Sequence, residues 1–273
     1  EEVKHHQNYC FEGEDIKKGS KLIEIGEKLS HVHIGIIASM GYEKVKVLRK
    51  TKVALISTGD EVICGGIPLT EGKIYDSNRR MIAARLEELG CDVVLAEVMG
   101  DDENLIANEI KNIMNDVDVV FTTGGVSVGK KDIMHQVIQI LHAKRIFWRV
   151  NMKPGTPAIY AVYENKPLLC LSGNPFAAIA TFELMGKQLL YKLGQDPGLR
   201  EVRKEAILQD EFLKESRGRR LIRAIYDEGR VYLPKGGHSS GILGSMVGCN
   251  CLIDIKPGTP KLDKGEKVEV VLL

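Results

Sequence analysis

The sequence lacks several features that assign proteins of this size to common classes. Its 273 residues carry 38 Lys and Arg against 37 Asp and Glu, and the formal charge of +1 gives no electrostatic basis for binding nucleic acid or an anionic membrane. No apolar run approaches the roughly 20 residues of a membrane span, and no signal peptide is visible. We therefore expect a cytoplasmic protein.

Disulfide and metal-ligand signatures are missing as well. The six cysteines include no C-x-x-C pair, and Cys91 and Cys170 lie in or beside apolar, strand-like runs. We expect buried, reduced thiols rather than a disulfide framework. The histidine pairs at positions 5–6 and 31–33 have no acidic or thiol partners at ligand spacing, which favours solvated or packed histidines over a metal site.

One stretch organises the rest of the chain. Residues 117–126 begin as a continuous apolar run, which is typical of a strand buried on both faces of a parallel sheet. The run breaks at two threonines and two glycines, and after Asp132 the apolar residues recur at helical spacing. The predicted order is strand, glycine loop and helix. The loop therefore lies at the carboxyl end of a strand, where open α/β sheets bind their ligands.

The composition of this loop suits an anion. Gly124, Gly125 and Gly129 allow backbone N–H groups to approach a phosphate, and the following helix adds its positive end. The loop also offers hydroxyls, from Thr122, Thr123 and Ser127. Asp132 would repel a phosphate unless a cation lay between them, and Mg²⁺ is the usual bridge. The alternative is a sharp turn with Asp132 as a plain helix N-cap.

Strands and helices alternate from residue 52 to about residue 193. This alternation predicts an α/β fold, with a doubly wound, mostly parallel sheet. In the helix after residue 102 the spacing predicts one buried face, formed by Leu105, Ile106, Ile110, Ile113 and Met114.

The pattern changes on both sides of this region. Beyond residues 195–198, short strand-like runs separated by Gly, Pro and Asp predict a small C-terminal β-barrel or sandwich. Residues 1–50 resemble turns between short strands with one helix, and they carry too little apolar surface for an independent core. The predicted division is an N-terminal hinge segment at 1–50, an α/β domain at 51–196 and a β domain at 197–273.

Polar residues follow four of the predicted strands, at 57–61, 101–103, 122–132 and 172–175. Because strand ends of a parallel sheet meet at one edge, we expect these groups to converge. Two basic residues follow another strand-like run, Arg149 and Lys153. Carboxylates, cations and glycine loops at one edge describe a site for a phosphorylated ligand with a divalent metal. Each acid taken alone is also explained as a helix N-cap or a solvated side chain.

Six motifs follow one another in a fixed order. They are Ser57-Thr58-Gly59-Asp60-Glu61, Asp76-Ser77-Asn78-Arg79, Gly100-Asp101-Asp102, the loop from Thr123 to Asp132, Met152-Lys153-Pro154-Gly155-x-Pro157, and Gly173-Asn174-Pro175. Together they resemble the MoeA and gephyrin E-domain family, the molybdopterin molybdenumtransferases. The resemblance covers residues of about 8–273. The glycine loop alone is shared with molybdopterin adenylyltransferases.

The resemblance implies a molybdopterin-binding α/β fold and a reaction in which adenylylated molybdopterin, molybdate and Mg²⁺ give molybdenum cofactor and AMP. The implied catalytic residues are Asp15, Glu61, Asp101, Asp132 and Lys153, with Asp101 and Asp132 holding the metal. The implied substrate-binding residues are Ser57, Thr58, Gly59, Thr123, Gly124, Gly125, Ser127, Gly129, Arg149, Ser172, Gly173, Asn174, Pro175 and Arg219. For Arg219 a solvated strand edge is the alternative. The implied partners are a second copy of the chain and a molybdopterin adenylyltransferase or molybdoenzyme chaperone.

Two departures from the family pattern bear on function. Ser172 stands where the family usually has proline; a proline fixes φ, so serine leaves the loop freer or adds a hydroxyl to the site. The family's second domain would precede residue 1, and we expect the chain as given to bind the pterin phosphate weakly and to transfer molybdenum poorly. Two other functions stay open: an adenylyltransferase-like enzyme, which would lack a β domain after residue 197, and a non-catalytic molybdopterin-binding or scaffold protein.

Overall fold

The computed structural model describes residues 2–126 and 133–273, and it divides into two compact units. The smaller unit comprises Glu1–Leu48 with Asp196–Gly198, and the larger comprises Arg49–Gln195 with Leu199–Leu273. The α/β sheet and the C-terminal strands therefore share one unit. The three-domain division inferred from the sequence stays a prediction.

The smaller unit contains one helix, α1 (His31–Ser39). A reciprocal cap starts it: the Ser30 hydroxyl accepts from the backbone N–H of His33, and the His33 ring nitrogen Nδ1 accepts from that of Ser30. The short strands expected here are wrong, since residues 2–48 contain no strand in the structure. A strand needs a neighbour to pair with its N–H and C=O groups, and the turns of this segment bring no two extended pieces into register.

The larger unit begins with an α/β region. Its elements, in chain order, are β1 (Lys52–Thr58), β2 (Val62–Ile63), β3 (Ile74–Tyr75), α2 (Asn78–Glu88), β4 (Asp92–Met99), α3 (Glu103–Ile113), β5 (Val119–Thr123), α4 (Ile133–Ile140), β6 (Lys144–Trp148), β7 (Met152–Lys153), β8 (Ile159–Tyr163), β9 (Lys166–Leu171), α5 (Pro175–Thr181), a π-helix (Phe182–Gly186) and α6 (Lys187–Gly194). The main sheet has the order β4-β1-β5-β9-β8-β6. Its first four strands are mutually parallel, and β8 and β6 continue it in antiparallel pairings. The predicted mostly parallel α/β sheet is confirmed.

Side chains of the central strands alternate between two apolar layers. In β1, Val53 and Leu55 pack in the same cluster as residues of α2 and α5, whereas Ala54 and Ile56 pack with α3 and α4. Both faces of the strand are therefore covered by helices, which explains its continuous apolar run. The predicted face of α3 is wrong at Leu105, which is 60% exposed, because it lies about a quarter turn from the buried Ile106.

The C-terminal region forms a closed barrel. Its elements are β10 (Arg203–Leu208), β11 (Arg219–Asp227), β12 (Arg230–Tyr232), β13 (Cys251–Ile255) and β14 (Lys267–Leu272), with short 3₁₀ helices at Pro197–Leu199 and Gly244–Met246. Strand β12 pairs with both β11 and β10, which closes the order β10-β14-β13-β11-β12 into a ring. The predicted small β domain is confirmed. The hairpin from β11 to β12 turns at Glu228 and Gly229, both with positive φ, as a two-residue turn requires.

One short strand links the two regions of the larger unit. β7 leaves the α/β region and pairs in parallel with the start of β11, where Met152 lies opposite Arg219 and Lys153 opposite Arg220. The loop after β7 therefore lies beside the barrel. Within residues 2–126 and 133–273, no helix is long and apolar enough to cross a membrane.

Candidate active site

The carboxyl ends of β4, β1, β5 and β9 meet at one edge of the sheet. These strands are consecutive neighbours and run in the same direction. The backbone N–H of Gly59 donates to the Met99 carbonyl at 3.2 Å, and that of Gly124 donates to the Leu171 carbonyl at 3.1 Å. The four polar strand ends are therefore in contact in pairs, as their positions in the sequence predicted.

Acidic side chains lie at the ends of β1 and β4. Asp60 Oδ1 accepts a hydrogen bond from the backbone N–H of Asp101 at 2.9 Å. The Glu61 carboxylate folds back over Gly59, where an added Cβ would lie 3.0 Å from Glu61 Oε2. Glu61 and Asp101, two of the predicted functional acids, thus lie on adjoining loops. Asp60 precedes Glu61 in the chain and accepts the hydrogen bond from Asp101.

The predicted hydroxyl ligands lie inside this edge. Ser57, Thr58 and Thr123 are all buried. Thr123 Oγ1 donates to Ser57 Oγ at 3.1 Å, across the β1–β5 pair. A Cβ on Gly124 would overlap the carbonyl oxygen of Thr58, so only glycine allows the backbones of residues 58 and 124 to lie this close. These hydroxyls join the strand ends to each other, and their contact with a ligand stays a prediction.

The loop after β9 carries Ser172, Gly173, Asn174 and Pro175. Ser172 is buried, and its Oγ accepts a hydrogen bond from the backbone N–H of Asn174 at 3.2 Å. Ser172 thus holds the turn with its hydroxyl. Pro175 begins α5, a position that suits its missing N–H. Asn78, at the start of α2, donates from Nδ2 to the Gly173 carbonyl at 2.7 Å and ties α2 to this loop.

A cavity of about 450 Å³ opens between this loop, the loop after β7 and the barrel. Its basic lining residues are Lys153, Lys214, Arg220 and His238. Ser172 and Asn174 connect it to the sheet edge, and no Asp or Glu belongs to the described lining. Such a lining attracts an anion through its positive charges, and no described carboxylate opposes that attraction.

His238 contributes to the cavity as a neutral ring. Burial, reinforced by the positive charges of Arg223 and Lys214, lowers the pKa of the His238 imidazole below its ordinary 6.5. The cationic character of the cavity at neutral pH therefore comes from Lys153, Lys214 and Arg220.

Arg219 and Arg220 are adjacent but serve different surfaces. Arg219 is held by Asp254, with Nε–Oδ1 at 2.8 Å and Nη2–Oδ2 at 2.6 Å. Arg220 lines the cavity, and within the described residues its guanidinium donates to two neutral groups, Ser216 Oγ at 2.9 Å and the Glu215 carbonyl at 2.8 Å. Neighbouring strand residues point to opposite sides. The basic cavity residue of this strand is therefore Arg220, and the anion contact expected of Arg219 stays a prediction.

The remaining predicted residues fall outside this group. Arg149 follows β6, is exposed, has a φ of 70° and lies with its guanidinium carbon 5.6 Å from the centre of the Trp148 ring. Asp15 belongs to the smaller unit. Ser127, Gly129 and Asp132 lie outside the described residues. The roles of all these residues stay predictions.

The donor set at the sheet edge suits Mg²⁺ in one defined way. Within the described ranges, no three His, Cys, Asp or Glu side chains form a group that could hold a metal by themselves. Asp60 and Asp101 nevertheless place two carboxylates on neighbouring loops. Mg²⁺ is typically bound by one or two carboxylates together with water and substrate phosphates. The residues present therefore fit a magnesium ion whose remaining ligands are water and the phosphate oxygens of a bound ligand.

Sequence reasoning missed five residues of this region: Asp60, Asn78, Lys214, Arg220 and His238. Asp60 and Asn78 lie within motifs that were recognised, but neither was singled out as a site residue. The other three come from the barrel, where no motif marks them. The pairing of β7 with β11 and the hydrogen bond from the Phe176 N–H to the Ser240 carbonyl bring them to the sheet edge, and a pattern of short strands predicts neither contact.

Comparisons with known proteins agree with this architecture. Residues 54–192 match the family model described as a probable molybdopterin binding domain, and residues 205–273 match the MoeA C-terminal region, domain IV. The fold and these matches define a molybdopterin-binding domain joined to a β-barrel. The chain belongs to the MoeA family.

Similar proteins extend the match over nearly the whole chain. The molybdopterin molybdenumtransferase of Staphylococcus epidermidis ATCC 35984 is 34% identical over 273 residues, covering 98% of this chain and 65% of the relative. That of Staphylococcus aureus COL is 32% identical over 271 residues, covering 98% and 64%. A MoeA structure from Pyrococcus horikoshii superposes with a TM-score of 0.83 at 30% identity, covering 95% of this chain and 64% of the other. The chain thus spans 64–65% of the length of these curated relatives.

Proposed function

We propose that the protein is a molybdopterin molybdenumtransferase, which inserts molybdate into adenylylated molybdopterin with release of AMP in a Mg²⁺-dependent reaction. The observation that carries the proposal is the cavity of about 450 Å³ with three permanent cations and no described carboxylate, which adjoins an edge that holds acids. Cations beside acids suit a reaction that joins an oxyanion to a phosphorylated partner with a metal ion. Two relatives whose matches cover 98% of this chain are named molybdopterin molybdenumtransferase, which supports the proposal.

The cavity binds and orients molybdate in this proposal. Lys153 and Arg220 lie opposite each other in the β7–β11 pair and both line the cavity, so two cations approach one oxyanion from adjacent strands. The planar guanidinium of Arg220 matches two oxygens of a tetrahedral oxyanion, whereas Lys153 acts as a point charge. The half-enclosed position lowers competition from water and strengthens both interactions.

The sheet edge holds the phosphate part of the pterin substrate. Backbone N–H groups of the glycine loop, from Gly125 onward, would donate to the phosphate at the end of β5. Asp101, whose backbone N–H is bonded by Asp60, and Asp132 would hold the magnesium ion, which would supply positive charge beside the phosphates. Glu61, over Gly59, adds a carboxylate beside the same loop. Ser172 and Asn174 border both the edge and the cavity, so the two substrates meet there.

The barrel argues against an adenylyltransferase-like function. The smaller adenylyltransferases share the sheet and the glycine loop but would lack the β domain after residue 197. Here that domain supplies Lys214, Arg220 and His238 to the cavity. A non-catalytic binding protein would keep the cleft without turnover. Homodimer formation and contacts with an adenylyltransferase or a molybdoenzyme chaperone stay predictions.

A direct assay tests the proposal. AMP release and molybdenum insertion are measured from adenylylated molybdopterin with Mg²⁺ and increasing molybdate, for the wild type, Lys153→Ala and Lys144→Ala. Lys144 is an exposed lysine at the start of β6, so its variant is matched in charge but remote from the cavity. We expect Lys153→Ala to raise the half-saturating molybdate concentration about tenfold or more, the loss of one charge-assisted contact, while Lys144→Ala behaves as wild type.

Three results separate the alternatives. Molybdate-dependent AMP release that Lys153→Ala impairs supports the transferase. Formation of adenylylated molybdopterin from ATP would identify an adenylyltransferase instead. Tight binding of molybdopterin without AMP release would identify a binding protein.

A further inference from the structure

His238 is the only titratable side chain in the described lining of the cavity that is neutral at neutral pH. It lies between β12 and β13 and is only partly exposed. Its ring meets the Phe212 ring edge to face, with 6.4 Å between the ring centres and 88° between the planes. Phe212 is itself held in place, because its N–H and C=O both bond the backbone of Leu262, at 2.8 and 2.9 Å. The imidazole thus has a supported position at the cavity wall.

The two ring nitrogens of His238 lie in different surroundings. Nδ1 is buried and has no hydrogen-bond partner. Because the residue lines the cavity while Nδ1 is enclosed, Nε2 is the nitrogen that can exchange a proton with a bound ligand. In the charged ring both nitrogens carry a proton, and a buried cationic N–H without an acceptor is less favourable than a bare nitrogen.

The charges around the ring also keep it neutral. Burial, and after it the positive charges of Arg223 and Lys214, lower the pKa of the His238 imidazole below its ordinary 6.5. Arg223 belongs to β11 and Lys214 follows β10, while Lys153 and Arg220 complete the cations of the cavity. No described Asp or Glu lines the cavity to oppose them. The ring is therefore a base that is available at neutral pH, and its protonated form readily gives the proton up again.

Insertion of molybdate into molybdopterin requires protons to move. Molybdopterin holds its metal through a dithiolene, which carries two thiols when it is free of metal. When molybdate joins them, two Mo–S bonds form, one Mo–O bond breaks, and both thiol protons leave with that oxygen as water. Molybdenum keeps its oxidation state and the total charge is unchanged, so the step needs neither an oxidant nor a reductant. It does need a group that takes a proton from sulfur and delivers it to oxygen.

We propose that His238 is a catalytic residue of this step: its Nε2 accepts a proton from a thiol of the pterin substrate and donates it to the molybdate oxygen that leaves as water. The proposal rests on the proposed function for the identity of the two substrates. The lysines and the arginine of the cavity stay charged at neutral pH, so they attract the oxyanion without accepting a proton. Among the described lining residues, His238 alone has a side chain that both accepts and donates protons near neutrality.

The test uses the full chain with His238→Ala, His238→Gln and the control His31→Ala, which removes an exposed histidine of α1. Molybdenum insertion and AMP release are measured over a range of molybdate concentrations, and thermal midpoints are recorded. We expect turnover at saturating molybdate to fall about a hundredfold in both His238 variants, as on loss of a proton-transfer group. The half-saturating molybdate concentration should stay within about threefold of wild type, and His31→Ala should match wild type within about twofold.

Two further readouts respond to proton transfer and not to packing. Because the accepting form is the neutral ring, wild-type kcat/KM should fall as pH drops below 6.5, through the lowered pKa of the His238 imidazole. This acid limb should be absent from His238→Gln, whose amide does not titrate. Added imidazole should raise the turnover of His238→Ala about tenfold or more by replacing the lost base. It should leave His238→Gln, which fills the space, and His31→Ala unchanged.

The outcomes decide as follows. Lost turnover in the His238 variants, together with loss of the acid limb or rescue by imidazole, supports the proposal. Turnover within about threefold of wild type in His238→Gln overturns it, and so does a loss of turnover with the acid limb kept and no rescue. If His238→Ala does not fold, the turnover and pH profile of His238→Gln decide.

Failure of the proposed function gives a different result. If wild type releases no AMP and inserts no molybdenum, the transferase assignment fails and the role of His238 fails with it. If wild type is active and the His238 variants are equally active, only the catalytic role of His238 is overturned.

Discussion

Asp60 and Asp101 are joined by a hydrogen bond, with the carboxylate of Asp60 accepting from the backbone N–H of Asp101 at 2.9 Å. The contact links the ends of β1 and β4, which are neighbours in the sheet. Asp60 also lies against Gly100, where an added Cβ would be 3.2 Å from its Oδ1. The loop that carries the expected metal-binding Asp101 is therefore held by an acid that the sequence pattern did not single out.

This relationship predicts a specific effect of Asp60→Ala. Loss of the acceptor frees the Asp101 loop, so the Mg²⁺ concentration for half-maximal AMP release should rise about tenfold, as for other residues that orient metal ligands. Asp116→Ala is the matched control, since Asp116 is exposed and lies before β5, at the opposite end of the sheet. A Mg²⁺ requirement unchanged by Asp60→Ala would show that the hydrogen bond has no part in metal binding.

The close approach of Gly124 to Thr58 predicts an effect on stability. Its φ is 95°, and a Cβ would overlap the Thr58 carbonyl, so Gly124→Ala should destabilise the protein by about 2–4 kcal/mol through strain and overpacking. Gly65→Ala is the control, because a Cβ there meets nothing within 4 Å. Chemical denaturation of both variants measures the difference. Equal stability of the two variants would contradict the close approach of β1 and β5.

The sheet edge could be predicted from the sequence because its determinants are local. Each buried strand is a continuous apolar run, and each ends in a polar or glycine motif, as in residues 53–61 and 117–126. The parallel topology then forces these ends together without any knowledge of side-chain contacts. The sequence analysis was wrong at Leu105. It assigned this residue to the buried face of α3, but Leu105 lies about a quarter turn from the buried Ile106 and is exposed.

The barrel side of the site could not be predicted in the same way. Lys214 and His238 lie in irregular segments, and the pairing of β7 with β11 helps to bring them to the cavity. That pairing joins residues 152–153 to 219–220 and involves two residue pairs. So short a ladder leaves no periodic signal in the sequence.

The pair Asp118 and Arg49 predicts a pH-dependent stability at the other end of the sheet. Both oxygens of Asp118 accept from Arg49 at 2.6 Å, and Oδ2 also accepts from the Lys52 N–H at 2.8 Å. These bonds, the Arg49 contacts first, lower the pKa of the Asp118 carboxyl below its ordinary 3.8. A lowered pKa in the folded state means that the stabilisation is complete above pH 3.8 and is lost as pH falls through the lower folded value.

Asp118→Asn should therefore matter most at neutral pH. Because the Arg49 side chain is 66% exposed, solvent screens much of the ion pair, and we expect a thermal midpoint only a few degrees below that of wild type. The gap should close as pH falls below the ordinary carboxyl pKa. Asp116→Asn, two residues away and exposed, should show no gap at any pH. A gap that widens in acid would contradict the lowered pKa.

Arg219 and Arg220 provide the sharpest separation of stability from binding, because they are adjacent, identical in chemistry and directed to different partners. Arg219 is paired with Asp254, and Arg220 lines the cavity with its charge uncompensated by any described carboxylate. Arg219→Ala should lower the thermal midpoint by a few degrees, about 1 kcal/mol, and leave molybdate affinity within about twofold of wild type. Arg220→Ala should weaken molybdate binding about tenfold or more and change stability less, since in the described ranges it forms no ion pair with a carboxylate. Calorimetric binding and thermal unfolding of both variants, side by side, measure the two effects. A loss of affinity in Arg219→Ala with Arg220→Ala unaffected would reverse the assignment and restore Arg219 as the anion contact that the family resemblance implied.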